Sequence, residues 1–349
     1  MKYLGEIVGG RNVNIGSNSP NEHVVITGIS GSGKSVRIMD MEQHIINDGG
    51  TAIAIDVDGT HVENKDMDYE YICAQEDGLD LKILDMSRVI EGKETMTNLK
   101  EYIMETICPR QLRGACQLAA VRKAVEFALC NRSDFSSDME AIACGLKEQE
   151  EATALGAYNH LCPILEGDIF RKSKKKILEG KINVISLKGL NPKTQKRIVE
   201  IFLSVMWRQM RIEGRSEKKF TLILDEFQNF DFYPGSTLFQ MLTEVRKYGV
   251  NLILSTQTLT TFSKKELAII NQAATKLFFQ QSSTDLKKVA ELVESGRKDK
   301  WITALSRLRI GQAVTVGELE IGGRQLQQPV ITCSVYNKPR TFGVSCSEM

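Results

Sequence analysis

A chain of 349 residues, 42% apolar and 26% charged, suffices for one large α/β domain or two smaller ones, burying roughly three quarters of its unfolded surface. A formal net charge of +1 excludes a surface that attracts nucleic acid as a whole; any such binding must come from local basic patches or from a ring of copies. No stretch approaches the ~20 apolar residues of a membrane span, and Met-Lys-Tyr-Leu-Gly-Glu at the start lacks the apolar core of a signal peptide, so a soluble, cytoplasmic protein is expected. The eight cysteines (Cys73, Cys108, Cys116, Cys130, Cys144, Cys162, Cys333 and Cys346) form no Cys-x-x-Cys pair. They read as small buried apolar residues in a reducing compartment, outside any disulfide framework or zinc site.

In chain order, Val24-Val-Ile-Thr27 is a short apolar strand that runs into Gly28-Ile29-Ser30-Gly31-Ser32-Gly33-Lys34-Ser35. From Val36 to Asn47 apolar residues recur at helical spacing, and Asp48-Gly49-Gly50 ends the pattern. Thr51–Ile55 then reads as a buried parallel strand leading to Asp56, which completes a βαβ unit. Residues 97–180 have helical periodicity and few β-branched clusters, and read as an all-helical insertion of several helices. It contains the densest basic run, Arg171-Lys172-Ser173-Lys174-Lys175-Lys176, which is either a solvated helix face or a patch facing nucleic acid. Strands are expected at Ile182–Leu187, Lys219–Leu224, Asn251–Ser255 and Thr275–Gln280, helices near Lys193–Ile212, Ser236–Tyr248 and Thr284–Glu294, and edge strands at Gly311–Val316 and Pro329–Val335. The alternation predicts an α/β fold with a mainly parallel central sheet flanked by helices. Its core is split into 1–96 and 181–349 by the helical insertion at 97–180.

The chemistry starts at the Gly-x-x-x-x-Gly-Lys-Ser loop. Gly28, Gly31 and Gly33 let the backbone turn its N–H groups, with those of Ser30 and Ser32, around a triphosphate, while the following helix presents the positive end of its dipole. Lys34 reaches the β and γ phosphates of ATP and the Ser35 hydroxyl holds Mg²⁺ in such loops. Asp225 and Glu226 close the apolar strand Phe220–Leu224, which suits Asp225 to the metal side and Glu226 to activation of water. Gln257, after Ser255-Thr256, ends the next strand, and its amide suits a γ-phosphate sensor or a holder of the attacking water. Asp56 faces the same crevice. Arg246, in Arg246-Lys247-Tyr248-Gly249, is a candidate finger onto a neighbour's γ-phosphate, though a cation before a C-cap glycine also has a structural rationale. Arg307 and Arg309 are weaker candidates for the same task. His23, His44, His61 and His160 have no metal-ligand spacing, and Trp207 is read as core.

With these motifs in order the chain resembles the FtsK–HerA superfamily of P-loop ATPases, above all HerA-type translocases and the cytosolic domain of conjugative coupling proteins. The resemblance rests on Leu4-Gly5-Glu-Ile-Val-Gly9, the loop at 24–35, Ala54-Ile-Asp56-Val-Asp-Gly59, Leu224-Asp225-Glu226-Phe-Gln228-Asn229-Phe230, Arg246-Lys-Tyr-Gly-Val-Asn-Leu-Ile-Leu-Ser-Thr-Gln257, Asn271-Gln-Ala-Ala-Thr-Lys276 and Leu308-Arg-Ile-Gly311. It implies a RecA-like core, a hexameric homo-oligomer with ATP at subunit interfaces, and double-stranded DNA as partner. Two departures stand out: little room for the N-terminal β-barrel of HerA proteins, and no membrane anchor of the kind FtsK and most coupling proteins carry. The competing expectation is a nucleotide-dependent switch or assembly ATPase engaging a protein partner of a conjugation, secretion or defence system.

Overall fold

The computed structural model describes residues 2–112, 114–214 and 220–334, and the account below is of those residues. Two short strands, β1 (Tyr3–Glu6) and β2 (Asn12–Ile15), precede β3 (Val24–Thr27), helix α1 (Lys34–Asn47), β4 (Thr51–Asp56) and β5 (Tyr69–Cys73). A helical stretch follows: α2 (Ser87–Ile90), α3 (Met96–Ile107), α4 (Ala115–Cys130), α5 (Asp138–Lys147) and α6 (Ala152–Leu165). The α/β alternation resumes with β6 (Ile182–Ser186), α7 (Pro192–Glu213), β7 (Phe220–Leu224), α8 (Thr237–Glu244), β8 (Val250–Thr256), α9 (Lys264–Ile270), β9 (Thr275–Phe278), α10 (Ser283–Val293) and α11 (Lys298–Ser306). Four strands close the described part of the chain: β10 (Gln312–Val316), β11 (Leu319–Ile321), β12 (Arg324–Leu326) and β13 (Val330–Cys333).

All described strands join one sheet in the order β12-β11-β2-β1-β13-β10-β9-β3-β8-β7-β4-β6-β5. From β9 to β5 every neighbouring pair is parallel, as expected for strands joined through helices. From β9 outward to β12 every pair is antiparallel, a wing built from both ends of the described chain. Along the parallel strands both alternating sets of side chains are apolar. Ile26, Ala54, Val184, Ile223 and Ile253 pack with Ile38, Met41 and Ile45 of α1. Val25, Ile53, Ile55, Leu222, Leu224, Leu252 and Leu254 face the other layer, which includes α3 to α8.

Local chemistry explains the helix ends. Asn191 accepts a hydrogen bond from Thr194 N at 3.0 Å and Pro192 occupies the first turn of α7, which fixes that start. In the helical stretch Gly145 is required by close approach: a Cβ there would lie 2.9 Å from Ala124 O, and this lets α5 sit against α4. The basic run at 171–176 lies on no helix. Arg171 instead donates to the carbonyls of Gln75 (2.8 Å) and Glu76 (2.7 Å), and Lys175 to that of Tyr71 (2.5 Å), while Lys172, Lys174 and Lys176 are exposed. The expectation for the cysteines also needs correction. Of the seven described only Cys333 is buried, while Cys116 and Cys130 at the two ends of α4 are exposed; Cys346 and Val335 lie outside the described residues.

One half-buried contact joins α7 to the turn beyond β7. Glu200, beside Arg197 at 2.6 Å, is hydrogen-bonded to Asp231, which also pairs with Lys196 at 2.5 Å. Burial, then the hydrogen bond to Asp231, pushes the Glu200 carboxyl up to about 7, so the two carboxyls share a proton near neutrality. Because the folded value lies above the ordinary one of 4.5, this contact favours the fold fully below that value, and the benefit is lost as pH rises through about 7. A Glu200→Gln variant keeps a donor toward Asp231 and should match the parent near pH 4. By pH 8 it should be more stable by about 1–2 kcal/mol, as read by urea denaturation across pH; a difference that does not change with pH would mean that no proton is shared.

Candidate functional site

Register brings the site together. Thr27 pairs with Thr256, Leu254 with Leu224, and Leu224 with Ile55, so β3, β8, β7 and β4 deliver Gly28, Gln257, Asp225 and Asp56 to one edge of the sheet.

The loop after β3 is tightly tied down. Gly28 N donates to Thr256 O (3.3 Å) and Ile29 N to Gln280 O (2.8 Å), while Ser32 Oγ donates to Ile29 O (2.7 Å). A Cβ on Gly28 would lie 2.6 Å from that of Phe279 and 2.9 Å from Ser32 Oγ, so only glycine fits there. Gly31 and Gly33 have φ of +75° and +103°. No side chain caps α1, so its first N–H groups are left to an incoming acceptor. Lys34 Nζ donates to Gly28 O (2.8 Å) and Ile29 O (3.3 Å), spanning the mouth of the loop. Burial lowers the Lys34 ammonium from its ordinary range, against the opposing pull of Glu226 and Asp225. An open, uncapped N-terminus with a buried ammonium beside it fits a polyphosphate.

On the carboxylate side Ser35 Oγ lies 3.4 Å from Asp225 Oδ2, a pair of oxygens suited to a Mg²⁺ hydration shell. The other Asp225 oxygen accepts Glu226 N at 2.9 Å. Glu226 has φ +51°, a left-handed backbone that a non-glycine residue adopts only when its surroundings impose it. Phe227 imposes it here, being fully buried and stacked on Phe262 at 5.0 Å with Phe232 edge-on at 5.7 Å, and Asn229 N closes the turn onto Glu226 O at 2.9 Å. The Glu226 carboxylate accepts Gln257 Nε2 at 2.8 Å and Gln228 Nε2 at 2.5 Å. Beside Gln257, Thr258 Oγ1 donates to the buried Asp285 at 2.5 Å, anchoring that loop to α10.

Asp56 reaches the same crevice, lining a cavity of about 50 Å³ with Ser35, His61, Asp225 and Glu226. One of its oxygens is occupied by the N–H groups of Gly59 (3.0 Å) and Thr60 (3.1 Å), so part of its role is to shape the loop. His61 approaches the buried Glu42 at 3.4 Å.

Arg246 is not brought to this site. It precedes β8 at the opposite edge of the sheet, exposed, and donates to Pro20 O, while Gly249 behind it takes φ +78° as the helix cap. Arg307 and Arg309, both exposed, flank a turn whose Gly311 N donates to Ser32 O at 2.9 Å, so this turn borders the chain's own loop. Sequence reasoning quoted Gln228 within a motif but gave it no role, and gave no place to Arg37. Arg37 is fully buried on α1, its guanidinium donating to Leu4 O (2.5 Å), Thr332 Oγ1 (2.9 Å) and Gly311 O (3.1 Å). A cation amid the apolar stripe of α1, one residue before Ile38, was the available signal.

Comparison with known proteins gives concordant results. The family of type IV secretion-system coupling protein DNA-binding domains matches residues 168–332. The DNA double-strand break repair helicases HerA of Sulfolobus acidocaldarius and Saccharolobus solfataricus are each 22% identical over 338 and 343 residues; the match covers 90% of this chain, which spans only 66% of their length. Among solved structures, VirB4 of Thermoanaerobacter pseudethanolicus superposes with a TM-score of 0.67 at 16% identity, covering 94% of this chain and 95% of that one. The conjugative coupling protein TrwB, in a sulphate complex, gives 0.69 at 12% identity over 97% and 90%, and its complex with ADP and Mg²⁺ gives 0.65 at 13% over 90% and 85%. Motif order and strand register agree with these likenesses: the chain shares the fold of VirB4 and TrwB, and its sequence is similar to HerA and to the coupling-protein DNA-binding family.

Proposed function

We propose that the chain hydrolyses ATP to move along DNA, working as a ring of copies on the duplex. The observation that carries this reading is the single line of strand ends at which the loop lysine, the Asp225–Glu226 pair and Gln257 meet, with Gln257 hydrogen-bonded to Glu226 at 2.8 Å. The naming of the HerA relatives as helicases and the ADP–Mg²⁺ complex of TrwB support it. So does the exposure of Lys172, Lys174 and Lys176 within the stretch matched by the DNA-binding family.

In this reading the N–H groups of Ser30 to Ser35 and the Lys34 ammonium cradle the phosphates, and Ser35 and Asp225 hold the Mg²⁺ shell. A Mg²⁺ held by these residues would neutralise charge on the phosphates. Glu226 accepts a proton from the attacking water, and Gln257 links that carboxylate to the γ-phosphate. Arg246, exposed and far from its own loop, is the arginine offered to a neighbouring copy, with Arg307 or Arg309 as substitutes. The segment 97–180 is an insertion into an ATPase core formed by 1–96 and 181–349. A cytoplasmic setting accords with the finding that no helix among the described residues is long and apolar enough to cross a membrane.

Glu226→Gln is expected to bind ATP as tightly as the parent while turnover falls about 10²–10⁴-fold; turnover within a few-fold of the parent removes Glu226 from the proton-accepting role. Lys34→Ala should fold normally and lose nucleotide affinity in a fluorescent-nucleotide titration; retained binding would count against the loop. Steady-state hydrolysis should rise with linear duplex DNA, cooperatively in protein concentration and with steep salt dependence. A slow rate indifferent to DNA and to protein concentration would favour the switch that engages a protein partner.

A further inference from the structure

Both oxygens of the Glu226 carboxylate are held, and by amides from different elements. Gln257 Nε2 reaches Oε1 at 2.8 Å from the end of β8, and Gln228 Nε2 reaches Oε2 at 2.5 Å from the turn that follows β7. The two donors differ in setting. Gln257 is exposed at the mouth of the site, where a nucleotide would meet it, whereas Gln228 is half-buried behind the carboxylate. The turn carrying Gln228 is rigid, because Phe227 before it is fully buried against Phe262 and Phe232, and Phe230 after it is buried.

The amide of Gln228 is also held at a cost. Its Oε1 is buried with no hydrogen-bond partner among the described residues. Turning the amide over would bring an oxygen against Glu226 Oε2 in place of the donor, so the carboxylate dictates the orientation and leaves the carbonyl unsatisfied. A side chain whose role was only to fill space would be better served there by an apolar residue of the same length.

We infer that Gln228 is a positioning residue that holds the Glu226 carboxylate from behind, so that the carboxylate stays aimed at the site when the Gln257 amide turns toward a bound phosphate. This rests on the reading of Glu226 as the group that takes the proton from water. With one donor drawn away by an anionic acceptor, the second keeps the carboxylate from following it or falling onto the Lys34 ammonium, which feels the Glu226 charge. Gln228 therefore acts through Glu226, touching neither water nor nucleotide, and its removal should affect the cleavage step and spare binding.

The test uses the full chain with MgATP, in steady state and in single turnover with enzyme in excess. Gln228→Met, equal in length and without a donor, should lower kcat and the single-turnover rate at least tenfold. KM and the Kd for MgATP should stay within twofold, with a thermal midpoint no lower than the parent's. Gln228→Glu, isosteric but repelling Glu226, should lower kcat at least a hundredfold with the same unchanged Kd. Glu226→Gln separates the two levels of the argument. If it is inactive while Gln228→Met and Gln228→Glu turn over like the parent, or if their loss appears in Kd and thermal midpoint instead of kcat, this inference alone falls. If Glu226→Gln still turns over, the proton-accepting reading falls and takes the inference with it.

Discussion

The parallel hydrogen-bonding of β3, β8, β7 and β4 is the constraint on which the site depends. Side chains of a strand alternate between faces, and a slip of one residue in any of these pairings would carry a functional residue to the wrong level or face. Here the slip is prevented by the apolar character of both faces, since each strand packs against α1 on one side and against the helical layer on the other. The residues that terminate these strands have no freedom to choose their neighbours. Gly28, Asp225, Gln257 and Asp56 meet because Thr27, Leu224, Thr256 and Ile55 are already locked in register.

Within that frame the polar groups use two kinds of support. The phosphate-facing half relies on backbone: glycines at positive φ, carbonyls held by Lys34, and the uncapped start of α1. The carboxylate half relies on side chains, with an aromatic cluster under Phe227 forcing the left-handed backbone of Glu226 and amides steering its oxygens. The first kind is rigid and common to many phosphate sites. The second depends on side-chain packing, where small adjustments in geometry can be made without moving the sheet.

What was legible in the sequence was whatever is local. The loop at 28–35 announces itself within eight residues, and Asp225-Glu226 and Gln257 follow from the rule that parallel strands present their C-terminal residues to the ligand. The division of the sheet was harder. β1 and β2 are four residues each, and their distant partners β13 and β11 lie some three hundred residues away, so no window of sequence reveals that the outer strands form an antiparallel wing. Gln228 stands within a motif, but its role was not legible, because an amide two residues after a carboxylate follows no repeating pattern. The cysteines misled because a general tendency toward burial says nothing about which face of α4 a residue occupies. Of the two readings of the basic run, the solvated helix face fails because no helix forms there, its arginine and one of its lysines being spent on carbonyls of the β5 region.

The buried guanidinium of Arg37 has a consequence for the order in which the chain can acquire its structure. Asp40 on the same helix eases its charge, but of its three hydrogen-bond acceptors only Leu4 O comes from the N-terminal half, the others being Gly311 O and Thr332 Oγ1. Until β13 and the turn before β10 have docked, two of those three hydrogen bonds must be made to water, which keeps α1 from settling fully onto the sheet. Contacts across so many residues are slow to form, because the chain must close a long loop before they reward it. The phosphate site is therefore written near the start of the chain but completed among the last events of folding, and a nascent chain emerging from the ribosome holds the motif well before it holds the site.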